Sequence, residues 1–154
     1  MELTGTAALN GTGNALANRL SGNDGANQLD GKDGSDGLLG GNGNDTLIGG
    51  LGQDTLTGGA SNDTFRYALR SESPVGDNRG TIMDFADGDR LDLKALYGRP
   101  LTFVGSDAAF TAVGQVRYTP STSLLQANLV DGLQPDFEIL LANQPTLNGS
   151  PLLV

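Results

Sequence analysis

Four aspartates spaced nine residues apart, Asp36, Asp45, Asp54 and Asp63, are the side chains of this chain best placed to do chemistry. Each stands sixth in a nine-residue row opened by a glycine: Gly31, Gly40, Gly49 and Gly58. Two earlier rows, opened by Gly13 and Gly22, carry amides at that place, Asn18 and Asn27. If rows stack on the second row following, Asp36 faces Asp54 and Asp45 faces Asp63. Bare carboxylates about 4 Å apart repel by roughly 4 kcal/mol at an effective dielectric near 20. Such a column closes only around positive charge, and before position 67 the basic residues are Arg19, Lys32 and Arg66. Hard oxygen donors backed by turn carbonyls suit Ca2+, which takes about six to eight oxygens in flexible geometry. Mg2+ demands a tighter octahedron, and Zn2+ calls for the His or Cys that this chain lacks.

The elements that must hold these carboxylates follow from another column. The eighth position of the rows reads Leu20, Leu29, Leu38, Leu47, Leu56 and Phe65. One large apolar residue in nine cannot make a helical stripe, which needs three or four in two turns. It suits a coil of short strands, each with one inward side chain. The Gly-rich remainder of each row makes a tight turn, where positive φ is cheap for Gly and tolerable for Asn or Asp. Two rows complete a circuit, and circuits stack at the inter-strand spacing of about 4.8 Å. Upstream, Leu9-Asn10-Gly11 reads as a degenerate further turn.

The whole composition agrees with a cation binder. The 154 residues suffice for one domain with a core, and 18 acidic against 9 basic groups give a net charge of −9. That balance argues against nucleic acid and against an anionic membrane. The absence of Cys and His removes disulfides, thiolate nucleophiles and the usual general base. No apolar run approaches the ~20 residues of a membrane span, and no Sec-type leader opens the chain. Residues 1–66 hold 16 of the 24 glycines and one aromatic, whereas residues 67–154 hold all six prolines and seven aromatics. The expected organisation is a repeat part, 1–66, and a capping part, 67–154, in one structural domain.

Gly40-Gly41-Asn42-Gly43-Asn44-Asp45-Thr46-Leu47-Ile48 matches the pattern GGxGxDxUx in full, as does the row from Gly49. The row from Gly58 has Ser61 for its second-turn glycine, and the row from Gly31 has Lys32 for its second glycine. The chain thereby resembles the RTX family, whose nonapeptide binds calcium. The resemblance implies an all-β fold: a parallel β-roll, a right-handed solenoid of nonapeptide repeats, closed by a C-terminal antiparallel strand cap. It also implies six-ligand ion sites built from carbonyls and aspartates of two stacked rows. One such set is Lys32, Gly34 and Asp36 with Gly49, Leu51 and Asp54. A second is Gly41, Gly43 and Asp45 with Gly58, Ala60 and Asp63. Two further sets contain an amide in place of one carboxylate. They are Asn23, Gly25 and Asn27 with Gly40, Asn42 and Asp45, and Asn14, Leu16 and Asn18 with Gly31, Asp33 and Asp36. The expectation is two Ca2+ ions, rising to four or five, and four would bring the charge of −9 to −1.

Asp63-Thr64-Phe65 and the later block Thr81-Ile82-Met83-Asp84-Phe85-Ala86-Asp87-Gly88-Asp89-Arg90-Leu91-Asp92-Leu93 resemble the C-terminal domain of serralysin-type metalloproteases. Strand signals follow at Leu101–Val104, Gln115–Tyr118, Leu124–Val130 and Phe137–Leu141, with a turn from Asp131 to Pro135. Asp84, Asp87, Asp89 and Asp92 read either as one more calcium site or as a solvated acidic turn. The resemblance implies a non-catalytic, monomeric module of a protein secreted by a Gram-negative bacterium. Its partners would be calcium, the type I secretion apparatus, which the apolar Leu152-Leu153-Val154 ending would suit, and a covalently attached catalytic domain. A serralysin protease needs H-E-x-x-H, and no His is present. The R-modules of mannuronan C5-epimerases are similar too, which makes an acidic polysaccharide, alginate, the alternative ligand. Against that alternative, the basic residues are scattered.

Overall fold

Each nine-residue row yields one short strand. β1 (Asn10–Thr12), β2 (Arg19–Ser21), β3 (Gln28–Asp30), β4 (Gly37–Asn42), β5 (Thr46–Ile48), β6 (Thr55–Ala60) and β7 (Thr64–Arg66) alternate between two sheets. The computed structural model describes residues 1–130 and 132–147, so Asp131 and the Leu152-Leu153-Val154 ending lie outside the described residues. Pairing is parallel and in register with the second row following. Leu20 lies beside Leu38 and Leu38 beside Leu56 in one sheet, and Leu29, Leu47 and Phe65 line up in the other. The strands can be this short because each buries a single side chain on a shared axis. The eighth-column residues are 0–3% exposed.

The chain then leaves the nine-residue step without leaving the sheets. Tyr67 to Arg79 make an excursion, after which β8 (Gly80–Ile82) pairs with β6 and β9 (Arg90–Asp92) pairs with β7. Ile82 and Leu91 take the inward places next to Leu56 and Phe65. After α1 (Lys94–Tyr97) come β10 (Thr102–Ser106), β11 (Gln115–Thr119), β12 (Leu124–Asn128) and β13 (Phe137–Leu141).

The last strands were expected to form an antiparallel cap over the end of the roll; they extend one of its two sheets edge-on, with β10 parallel to β11, and β9 stays the edge strand of the other. β11, β12 and β13 are antiparallel, while β13 pairs in parallel with β8, so one sheet runs β10-β11-β12-β13-β8-β6-β4-β2. The other is β1-β3-β5-β7-β9. The unpaired edge of β8 is what β13 satisfies, and an uncovered edge would template pairing with other chains. Val116, Leu125, Phe137 and Ile139, each 0% exposed, extend the leucine column into one continuous core.

A second clamp holds the excursion to β13. Buried Glu138 accepts from Arg79 Nε at 2.7 Å and from Gln126 Nε2 at 2.6 Å. The backbone N–H of Glu138 donates to Ser73 O at 3.0 Å, and the Ser73 hydroxyl donates to the Glu138 carbonyl. Burial raises the Glu138 pKa, but the bonds from Arg79, Gln126 and Gly76 outweigh it and leave the group below its ordinary value.

Because Leu47 sits at the centre of the column and is 0% exposed, Leu47→Ala is expected to cost about 2–5 kcal/mol. Urea unfolding at saturating calcium measures this, and a loss under about 1 kcal/mol would contradict a close-packed axis.

Candidate metal centre

The turns between strands carry the aspartates on a hydrogen-bonded ladder. Asp36 N–H donates to Asp54 Oδ1 at 2.9 Å, and Asp45 N–H donates to Asp63 Oδ1 at 2.8 Å. The same bond runs from Asn18 N–H to Asp36 and from Asn27 N–H to Asp45, both at 2.7 Å. Each carboxylate therefore grips the backbone of the second row before it with one oxygen. The other oxygen does something unusual: Oδ2 of Asp36, Asp45, Asp54 and Asp63 is buried without any hydrogen-bond partner. A buried carboxylate oxygen with nothing to accept from is among the costliest groups a fold can carry.

Where those oxygens lie is read from the first-column glycines. A methyl placed on Gly31 would overlap both Asp36 Oδ2 and the Gly49 carbonyl oxygen. On Gly40 it would overlap Asp45 Oδ2 and the Gly58 carbonyl oxygen. The free carboxylate oxygen of one row and the first carbonyl of the row stacked on it thus converge on a single small space. These glycines are required for room and not for φ, which is not positive at any of them. The left-handed positions are the second and fourth: Gly41 at 112°, Gly43 at 99°, Gly50 at 96° and Gly59 at 102°. Lys32 at 81° and Ser61 at 88° bear the strain of a side chain in that region. The Lys32 carbonyl accepts from Leu51 N–H at 2.9 Å, which holds it in that turn, and its ammonium pairs with Asp30 at 2.7 Å.

The two earliest rows are built differently. Asn18 Oδ1 accepts from Asn14 N–H at 2.7 Å, and Asn27 Oδ1 accepts from Asn23 N–H at 2.8 Å. Asn27 Nδ2 also donates to the Leu9 carbonyl at 2.9 Å. In these rows the amide oxygen is satisfied from within its own turn. Asn14, Leu16, Asn23 and Gly25 lack the positive φ of the later turns. Gly34 at 111° keeps it. Asp33 bridges to Leu51, while Asn42 Nδ2 reaches Asp24 at 2.7 Å and faces outward.

At the far end Asp89 continues the ladder, accepting from Asp63 N–H at 2.8 Å and from Ala86 N–H at 2.9 Å. Asp84 accepts from Gly58 and Gly59 N–H at 2.9 and 2.8 Å. Asp87 is exposed, and Asp92 is paired with Arg66 at 2.9 Å. The four aspartates of that block are therefore not one cluster: two lie against the end of the Asp63 column and two do not.

Burial, and then the neighbouring carboxylates Asp36 and Glu72, raise the Asp54 pKa to about 6. Burial, followed by Asp89, Asp45 and Asp84, does the same for Asp63, also to about 6. Asp36 and Asp45 shift upward for the same first cause. The donor set fits calcium: carboxylates and carbonyls, no nitrogen or sulfur, and burial that disfavours the bare anions. Bound there, a calcium ion supplies the positive charge that the buried oxygens lack.

Comparison with known proteins agrees. Residues 35–148 match the family model of the peptidase M10 serralysin C terminus, and residues 12–47 match that of the RTX calcium-binding nonapeptide repeat. The AlgE6R3 subunit of the Azotobacter vinelandii mannuronan C5-epimerase is similar at 32% identity and a TM-score of 0.69, over 94% of this chain and 82% of that one. The AlgE6R2 subunit of the same epimerase is similar at 30% identity and a TM-score of 0.63, over 91% and 89%. No curated protein matches the chain.

Carboxyl groups whose pKa is raised by folding stabilise the fold below their unfolded pKa and lose that contribution as pH rises through the folded one. The calcium-free chain is accordingly expected to lose stability between about pH 4 and pH 6, the window set by Asp54 and Asp63. Far-UV dichroism in chelator from about pH 4 to pH 7 checks it, with the β signal falling as pH rises. A β signal that grows over that range would contradict the burial of these oxygens.

Proposed function

The chain belongs to the serralysin C-terminal family of RTX calcium-binding proteins, and from that membership we propose that it is a calcium-triggered folding and secretion module. On this reading it passes unfolded through a type I secretion apparatus, folds on calcium outside the cell, and supports the secretion and stability of an attached enzyme. The observation that carries the reading is the set of four buried, unpartnered aspartate oxygens. Their desolvation opposes folding at low calcium, and ion binding reverses the sign, because the ligands are assembled only in the folded state.

The ligand assignment we favour uses Lys32, Gly34 and Asp36 with Gly49, Leu51 and Asp54, and Gly41, Gly43 and Asp45 with Gly58, Ala60 and Asp63. Its support is the convergence of Asp36 Oδ2 with the Gly49 carbonyl and of Asp45 Oδ2 with the Gly58 carbonyl. The sets built on Asn18 and Asn27 are weaker sites, since each amide oxygen already has an internal donor. Capacity for about two strong ions in the repeats follows.

Acidic polysaccharide binding is the second reading, favoured by the likeness to the epimerase subunits. A groove over the outer face of β2, β4 and β6 is lined by Arg19, Ser21, Ser35, Gln53 and Thr57 around Gly37. Hydroxyls and amides suit a sugar, but the groove's cations, Arg19 and the Met1 ammonium, are offset by Glu2 and Asp36 in the same lining. Electrostatic attraction for a polyanion is therefore weak there.

Far-UV circular dichroism during a calcium titration, with magnesium as control, tests the first reading. A cooperative gain of β signal with calcium alone is expected, and equal folding in chelator would sink it. Asp45→Ala should raise the calcium midpoint about tenfold, the equivalent of about 1.4 kcal/mol. An unchanged midpoint would remove Asp45 from the ligand set.

A further inference from the structure

The hydrogen-bonded ladder keeps one polarity along the aspartate rows and reverses it at Asn27. Asp45 Oδ1 accepts from the N–H of Asn27, eighteen residues before it, at 2.7 Å. Eighteen residues before Asn27 stands Leu9, and there the sense is opposite: Asn27 Nδ2 donates to the Leu9 carbonyl at 2.9 Å. Asn23 does the same, its Nδ2 donating to the carbonyls of Ala7 at 3.0 Å and Thr4 at 3.2 Å. The segment from Thr4 to Leu9 thus presents carbonyl oxygens to these two side chains, where the later rows present N–H to a carboxylate. Further bonds orient the two amides. Asn27 Oδ1 accepts from Asn23 N–H at 2.8 Å, and Asn23 Oδ1 accepts from Gly25 N–H at 2.8 Å and from Asn27 Nδ2 at 3.0 Å. A methyl on Gly22 would overlap Asn27 Oδ1 and the Gly40 carbonyl oxygen, so Oδ1 takes the place of the aspartate Oδ2. Asn23 is 8% exposed and Asn27 3%, yet among the described residues neither holds a buried polar atom without a partner.

An ionised carboxylate only accepts, whereas an amide carries two N–H donors besides its oxygen. One side chain can therefore accept on the side of the following row and donate on the side of the preceding one. We infer that Asn23 and Asn27 stand in for an ion at this end of the roll. Their N–H groups give the carbonyls of Thr4, Ala7 and Leu9 the positive partner that calcium gives the aspartate rows, and the first turn closes without metal. An aspartate at position 27 would set a carboxylate oxygen against the Leu9 carbonyl, a contact that is repulsive unless a cation enters. The comparison with calcium rests on the calcium reading of the repeats; the amide bonds themselves do not.

Asn27→Asp tests this, because it keeps the shape of the side chain and removes the donor. Carbonyls joined by a carboxylate are calcium ligands, so the turn should come to need an ion. Urea unfolding is measured at a series of calcium concentrations, and the slope of stability against the logarithm of free calcium counts the ions taken up on folding. In the variant that slope should rise by about one ion, with the calcium midpoint of folding raised about tenfold. An unchanged slope, whether or not stability falls, would overturn the inference and leave Asn27 a packing residue. Should Asn27→Asp fail to fold, proton exchange of the side-chain amides in the calcium-loaded parent chain decides. The Nδ2 protons of Asn23 and Asn27 should exchange about tenfold or more slowly than those of exposed Asn78, and equal rates would overturn the inference. A parent chain whose stability ignores calcium would instead overturn the repeat reading, and the exchange rates would still judge the amide bonds.

Discussion

Everything in this molecule is arranged around one constraint: carboxylates are buried in a row with half of their hydrogen-bonding capacity unused. One oxygen of each aspartate fixes the spacing of successive circuits by accepting from the backbone of the circuit before it. The other is left in a space walled by carbonyl oxygen. A neutral fold would have removed either the charge or the burial. Retaining both makes stability conditional on an external cation, and that conditionality is the property on which a secreted calcium-binding module depends.

The turn chemistry follows from the same constraint. To bring a carbonyl and a carboxylate oxygen together, the chain must turn sharply at the second and fourth positions and leave no Cβ at the first. Glycine is demanded twice for different reasons: left-handed φ at Gly41 or Gly50, bare room at Gly31 or Gly49. Where asparagine replaces aspartate, the turn relaxes, and the second-position N–H swings in to satisfy the amide. At Asn18 and Asn27 the columns thus lose a carboxylate and keep an amide oxygen that its own turn already satisfies.

Much of this was legible in the sequence, because a nine-residue period leaves few choices. The inward column Leu20 to Phe65, the pairing of Asp36 with Asp54, and the strand positions in the C-terminal part all follow from spacing and residue type. Less legible was whatever depended on contacts outside the period. The first-column glycines looked like turn residues, and their role emerges only when the neighbouring row is in place. The step from Thr55 to Thr81 breaks the repeat, so the resemblance of the block from Thr81 to Leu93, and not the period, points to β8 and β9 closing the roll. Glu72 and Tyr67 lie in that break and carry no motif.

The cap can be understood through energetics as well as topology. Two sheets of three-residue strands with one inward side chain apiece bury little apolar surface per circuit, so the repeats alone form a thin core. β11 to β13 add large buried residues, among them Tyr118, Phe137 and Ile139, without an ion. Because β13 pairs with β8 and Glu138 clamps the Tyr67 to Arg79 excursion, that core is joined to the last aspartate turns. The C-terminal strands therefore extend the sheet of β2, β4, β6 and β8 and thicken the core at that end. The turns nearest it are those of Asp54 and Asp63, where burial raises the carboxyl pKa to about 6.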